Sequence, residues 1–407
     1  MFLYPLTVFL SAFLLFLLQP VIAKQILPWF GGSAGVWTTC LFFFQLLLLG
    51  GYAYAHWSVR VLRPVPQVVL HCALLLASLL ALPILAAVDW KPRGDDMPAA
   101  RILGLMFVTV GLPYFMLTTT GPLIQAWYAR QTDSPYRLFA LSNFASLLGL
   151  LSYPFAFEPW ISTRQQAIWW SIGHAGFVGA CILTALYSLR RARYAGAVTQ
   201  TPMTAERPPT WGRRSTWITL SATSSFMLLA TTNHMTQNIA SIPLLWVLPL
   251  SIYLLTFILC FEGRGWYHRL LFFFPLLAVL GAMVYVDNDL TTLLDLRLAL
   301  PVFAGGLFAI CMFCHGELAT LKPAPRYLTG FYLMIALGGA IGSLLVSVVA
   351  PLILRGDYEL HFGLVVTALL VIWQTRREPL WAPSIAAIVA AGVTYGVLAH
   401  GVDQVRS

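Results

Sequence analysis

Apolar runs of about 20 residues follow one another along this chain, separated by short polar stretches. They cover residues 4–23, 36–55, 65–88, 102–127, 136–155 and 167–188 and, after a gap, 217–236, 243–261, 270–286, 298–315, 328–352, 360–373 and 382–399. A helix of that length crosses the roughly 30 Å of hydrocarbon in a bilayer. Backbone in lipid must satisfy its own hydrogen bonds, which leaves helices or closed barrels, and unbroken apolar runs without period-two alternation exclude the barrel. The pattern predicts an all-α, polytopic transmembrane bundle of 12 or 13 spans. Should the count be twelve, the shortest run, 360–373, is the one to read as re-entrant. The first run lacks a preceding basic stretch and reads as a span, not as a cleaved leader.

Composition agrees with this reading. Of 407 residues, 59% are hydrophobic and 10% charged, far below the roughly 25% charged residues of soluble domains. The net charge of +9 would suggest nucleic acid in a soluble protein, but these charges sit between apolar runs and act as topology signals. The gap after the sixth run, residues 189–216, carries Arg190, Arg191, Arg193, Arg207, Arg213 and Arg214 with Pro202, Pro208 and Pro209 and reads as a basic linker. With that linker and the N-terminus in the cytoplasm, sixteen of the 24 Lys and Arg fall on inside loops, the bias that sets membrane orientation. The re-entrant alternative puts fifteen inside, so charge does not fix the parity. The domains expected are a bundle at 1–188, the linker at 189–216 and a six- or seven-helix bundle at 217–407, in the inner (cytoplasmic) membrane of a cell.

Weak internal similarity supports two related halves. Leu10-Ser11-Ala12 with Phe16 matches Leu220-Ser221-Ala222 with Phe226 at an offset of 210, placing Lys24 on His234. Ser146-Leu147-Leu148 with Pro154 matches Ser343-Leu344-Leu345 with Pro351 at an offset of 197. Two matches around a basic linker favour six-helix pseudo-repeats of major-facilitator type. The loop at 56–67 has no Gly-x-x-x-Asp-Arg pattern, so any kinship to that group is remote.

Several strings carry a more specific likeness: Gln19-Pro20-Val21-Ile22-Ala23-Lys24 with Phe30-Gly31-Gly32-Ser33 and Val36-Trp37; Thr118-Thr119-Thr120-Gly121-Pro122-Leu123-Ile124-Gln125 with Trp127; Ser142-Asn143; Pro243-Leu244-Leu245-Trp246-Val247-Leu248-Pro249-Leu250; and Cys314-His315-Gly316-Glu317-Leu318. Over residues 1–355 the chain resembles the membrane part of the bacterial fused major-facilitator and spermidine synthase-like proteins. The resemblance implies a membrane domain that moves or receives a polyamine-like product, and a soluble aminopropyltransferase-like domain or partner. This sequence stops at Ser407, about where such a domain would begin, and shows no Gly-rich nucleotide- or SAM-binding turn. The expectation is a transporter of a small polar or cationic metabolite, with a membrane anchor for such an enzyme as the alternative. Catalysis, a cofactor and a nucleic-acid partner are not expected.

Polar groups inside a bilayer are costly, which makes them the candidates for substrate binding or gating. These are Lys24, Gln125, Asn143, Glu158, Asn233, His234, Gln237, His315 and Glu317. Each has a plainer use. Lys24 can snorkel to headgroups, and Asn143 can bond a neighbouring helix. Glu158 beside Trp160 can belong to an interfacial belt, and Glu317 can pair with Lys322 or Arg326. Thr118, Thr119 and Thr120 can bond their own helix. No acid falls in the middle of a span, and a buried acid is usual in a proton-coupled exporter of cations. Cys311-Met312-Phe313-Cys314-His315 matches the c-type haem pattern, but its apolar helix and cytoplasmic end argue against attachment, and a metal site would need more ligands. Gly338, Gly339 and Gly342, and Gly31 with Gly35, read as close helix contacts.

Overall fold

The computed structural model describes residues 2–30, 34–92, 98–131, 135–195, 208–239, 245–262, 265–289, 293, 295–353, 358–376, 378–379 and 381–406. Gly31 and residues 196–207 of the linker lie outside them. Thirteen continuous helices are present among the described residues, one for each apolar run: α1 Leu3–Phe30, α2 Ala34–Val61, α3 Pro64–Ser78, α4 (98–128), α5 Arg137–Phe157, α6 Thr163–Ala195, α7 (211–239), α8 Val247–Glu262, α9 Arg269–Asn288, α10 Leu296–Thr320, α11 (328–353), α12 Glu359–Thr375 and α13 Trp381–Arg406. Nine are long and apolar enough to cross a membrane by length and composition. The start of the basic linker is helical, because α6 runs on to Ala195.

The chain forms two units, residues 1–215 with 322–337, and residues 216–321 with 338–407. In the first, α1 is the central helix, and Tyr4, Val8, Leu18, Val21 and Ile26 are fully buried. The indole of Trp170 in α6 donates to the Leu14 carbonyl at 2.8 Å, and Thr7 meets Thr184 at 2.7 Å. A Cβ on Gly149 of α5 would stand 2.6 Å from the Phe13 carbonyl, so the bare glycine sets how closely α5 lies on α1. In the second unit α7 and α11 meet the same way, through Gly338 and Gly342.

These contacts re-register the internal repeat. Gly342 follows Gly149 by 193 positions, and the wide π-type turns at Tyr153–Phe157 and Leu345–Val349 lie 192 apart. The structural offset between α5 and α11 is therefore one turn short of the 197 suggested by Ser-Leu-Leu. A four-residue slip keeps the same helix face, so Leu-rich strings match at either register. Between α1 and α7 the facing carbonyls, Phe13 and Ala222, are 209 apart, within one residue of the sequence offset.

Residues 360–373 lie within one continuous helix, α12. Glu378, just past α12, pairs with Arg269 at the start of α9, while His361 at the start of α12 pairs with Asp287 at the end of α9. The helix therefore runs antiparallel to α9 along its whole length. α13 returns alongside: Trp381 stacks on Phe274, and Gly396 accepts from Asn288.

Candidate functional site

In the first unit, uncharged polar side chains converge. Gln125 of α4 accepts from the Tyr332 hydroxyl of α11 at 2.6 Å, both residues buried. Gln19 of α1 donates to the Tyr114 hydroxyl of α4 at 3.3 Å. Tyr52 of α2 lies within electrostatic reach of both Tyr114 and Tyr332, and the Phe139 ring stacks on Tyr332 with centroids 4.9 Å apart. Three phenols and two amides thus gather within one unit. Only Gln125 among them was a sequence candidate; the tyrosines escaped notice because aromatic residues in apolar helices are ordinary.

The other candidates of this unit have local partners. Lys24 pairs with Glu158 at 2.7 Å, with side chains 35% and 40% exposed. Pairs so open to solvent contribute about 0–1 kcal/mol, so Lys24→Met is expected to leave the thermal midpoint in detergent nearly unchanged; a large drop would give the pair a structural role. Gln25 holds residues 84–86, donating to the Ile84 carbonyl and accepting from the Ala86 amide. Asn143 bonds the Phe139 carbonyl of its own helix at 2.8 Å instead of reaching a neighbouring helix. Thr118, Thr119 and Thr120 likewise bond carbonyls one turn back. The wide turn in α4 lies at Phe107–Gly111, before the Gly121-Pro122 pair.

In the second unit two charged groups occupy opposite ends of α9. At its start, Glu317 is 1% exposed and is gripped by Arg269 through Nε to Oε1 and Nη2 to Oε2, while the Tyr267 hydroxyl donates to Oε1 at 2.7 Å. Arg269 also reaches Glu378 at 2.7 Å. Arg269 and Tyr267, not Lys322 or Arg326, supply these contacts. Burial and the adjacent Glu317 carboxylate push the Tyr267 phenol up, keeping it a donor. The string Cys314-His315-Gly316-Glu317-Leu318 thereby acquires a physical account. A Cβ on Gly316 would strike the Tyr267 ring at 2.3 Å, so glycine admits the ring beside the carboxylate. His315 stacks on Phe257, with centroids 3.6 Å apart, and meets Thr256 through Nδ1 at 2.9 Å. Cys311 and Cys314 are buried free thiols.

At the other end of α9, Asp287 lies between two imidazoles. His234 Nε2 is 3.3 Å from Oδ1 and His361 Nε2 is 2.6 Å from Oδ2, with all three residues 5–7% exposed. Asn238 stands 3.1 Å from His234 Nδ1. Asn233 is half-buried and Gln237 exposed. Sequence reasoning found His234 but missed Asp287 and His361.

No family model matches the chain, and no curated protein matches it. Solved structures do. The nucleoside transporter NupG aligns with a TM-score of 0.51 at 13% identity, over 97% of this chain and 98% of its own. The human organic anion transporter MFSD10 (TETRAN) aligns with a TM-score of 0.46 at 14% identity, over 97% and 99%. The fold is major-facilitator-like. With nine helices long and apolar enough to cross a bilayer among the described residues, this is the fold of a multi-pass membrane protein.

Proposed function

We propose that this chain is an alternating-access carrier of a small polar solute and that the amides and phenols around Gln125 and Tyr332 form part of its binding surface. The observation that carries the reading is the buried contact between Gln125 and Tyr332, backed by Gln19, Tyr52 and Tyr114. Uncharged groups of this kind bind hydroxyl, amide or ring-nitrogen edges and rings stacked between aromatic faces. A polyamine would call for an uncompensated carboxylate, whereas Glu158, Glu317 and Asp287 each face a lysine, an arginine or imidazoles. The uncharged solute is therefore the better supported class. The orientation that fits the charge bias has the N-terminus and linker in the cytoplasm.

The resemblance to the spermidine synthase-like fusions also carries the anchor reading, and one experiment separates the two. The purified chain in liposomes is offered labelled nucleosides, sugars, amino acids, putrescine and spermidine. Saturable flux of an uncharged polar solute is expected. Gln125→Leu and Tyr332→Phe should each lower it roughly tenfold, the equivalent of about 1.4 kcal/mol for a buried hydrogen bond. Flux of polyamines alone would overturn the substrate class. Absence of flux in folded protein would move the weight to the anchor.

A further inference from the structure

The histidine and aspartate side chains at the far end of α9 are too costly to be packing alone. His234 of α7, Asp287 of α9 and His361 of α12 are 5–7% exposed, in a chain that spans lipid, where buried ionisable groups carry a penalty unless matched. The Phe303 ring of α10 lies 4.5 Å from that of His234, closing one side. The Tyr358 ring lies 6.1 Å from that of His361, and Asp289 and Glu359 stand two positions along the chain from Asp287 and His361. Asn288 of α9 ties to the Gly396 carbonyl of α13.

The charge states can be counted. With Asp287 ionised and both imidazoles neutral, the trio carries one negative charge in an apolar setting. One proton makes it neutral overall, as an imidazolium beside a carboxylate; a second leaves a net positive charge. Low dielectric favours the neutral state. The amide of Asn238 suits either form of His234. Its NH2 donates to a neutral Nδ1, and its oxygen accepts from a protonated one after a half-turn of the amide. A proton can therefore arrive or leave without stranding that partner. The 2.6 Å approach of His361 to Asp287 leaves no gap for an ion between them, and among the described residues no such set is spaced to hold a metal.

We infer that His234, Asp287 and His361 form a single-proton binding site, and that this proton is the coupling ion of the carrier. Its binding ties α7, α9 and α12 together, and its loss leaves a buried negative charge that loosens them. The second clause rests on the carrier reading; the first does not.

The test has two arms. Potentiometric titration of the purified protein in detergent between pH 8 and pH 5 counts protons and needs no substrate. Wild type is expected to take up about one proton more than Asp287→Asn, with His361→Gln also lowering the count. Equal counts in folded wild type and Asp287→Asn overturn the site. Zn2+ binding that depends on Asp287 also overturns it, by making the trio a metal centre. In liposomes with whichever solute is carried, Asp287→Asn should abolish accumulation driven by a proton gradient yet retain counterflow exchange. Accumulation at the wild-type level would remove the proton from coupling, while absence of flux in both proteins would count against the carrier and leave the titration result standing.

Discussion

Arg269→Met is expected to destabilise the protein by about 3 kcal/mol, read as a fall in thermal midpoint and in the monodisperse fraction recovered in detergent. The cause is the carboxylate left behind. Glu317 is 1% exposed and takes both of its guanidinium contacts from Arg269, so the substitution buries a charge with only the Tyr267 hydroxyl to stabilise it. Breaking a buried pair by removing one partner costs roughly 3–5 kcal/mol, and the lower end applies because the Arg269 side chain is 33% exposed and water can follow it in. The double variant Arg269→Met, Glu317→Gln should recover much of the loss, since no charge is then stranded. Glu378→Gln, whose partner keeps its contacts to Glu317, should cost far less. If the double variant is as unstable as the single one, the damage comes from lost packing of the arginine stem rather than from the stranded charge.

The two ends of α9 also show what the sequence reveals and what it hides. Among the described residues each of the thirteen helices corresponds to an apolar run, because a span must be apolar for its whole length and little else produces such runs. The charged partners were harder to read. Asp287 stands one residue past the run 270–286, and His361 opens the shortest run, the one open to a re-entrant reading, so neither looked like part of a site. Strict alternation of the thirteen helices nevertheless puts the end of α7, the end of α9 and the start of α12 on one side, and Arg269, Glu317 and Glu378 on the other. Pairing opposite charges by membrane side, instead of by position within a span, is the signal that finds both groups. The cluster of Gln125 and Tyr332 leaves no such trace, since two amides and three tyrosines spread over four helices acquire meaning only when the fold assembles them.

Gly342→Leu is expected to have an effect as large as the loss of Arg269, by a purely steric route. A Cβ on Gly342 would sit 2.2 Å from the Ala222 carbonyl and 2.9 Å from the Phe226 nitrogen, and one on Gly338 would sit 2.4 Å from the Ile218 carbonyl. These are backbone atoms of α7, which cannot swing aside as a side-chain tip can, so α7 and α11 must separate. Helix association in lipid rests on van der Waals packing, with no hydrophobic drive to compensate for a gap, and overpacking of a tight interior costs typically 1–3 kcal/mol or more. Even alanine at 342 should lower the thermal midpoint measurably. Gly339→Ala is the control on the same helix: its Cβ would meet the Ser225 hydroxyl oxygen at 3.3 Å, a side chain that can rotate, and the variant should stay close to wild type. Gly121→Ala, whose Cβ meets nothing within 4 Å, should do the same although it stands beside Pro122. A Gly342→Leu protein that melts with wild type would mean that α7 and α11 do not approach this closely. The shared close contact that relates α7 and α11 to α1 and α5 would then fall with it.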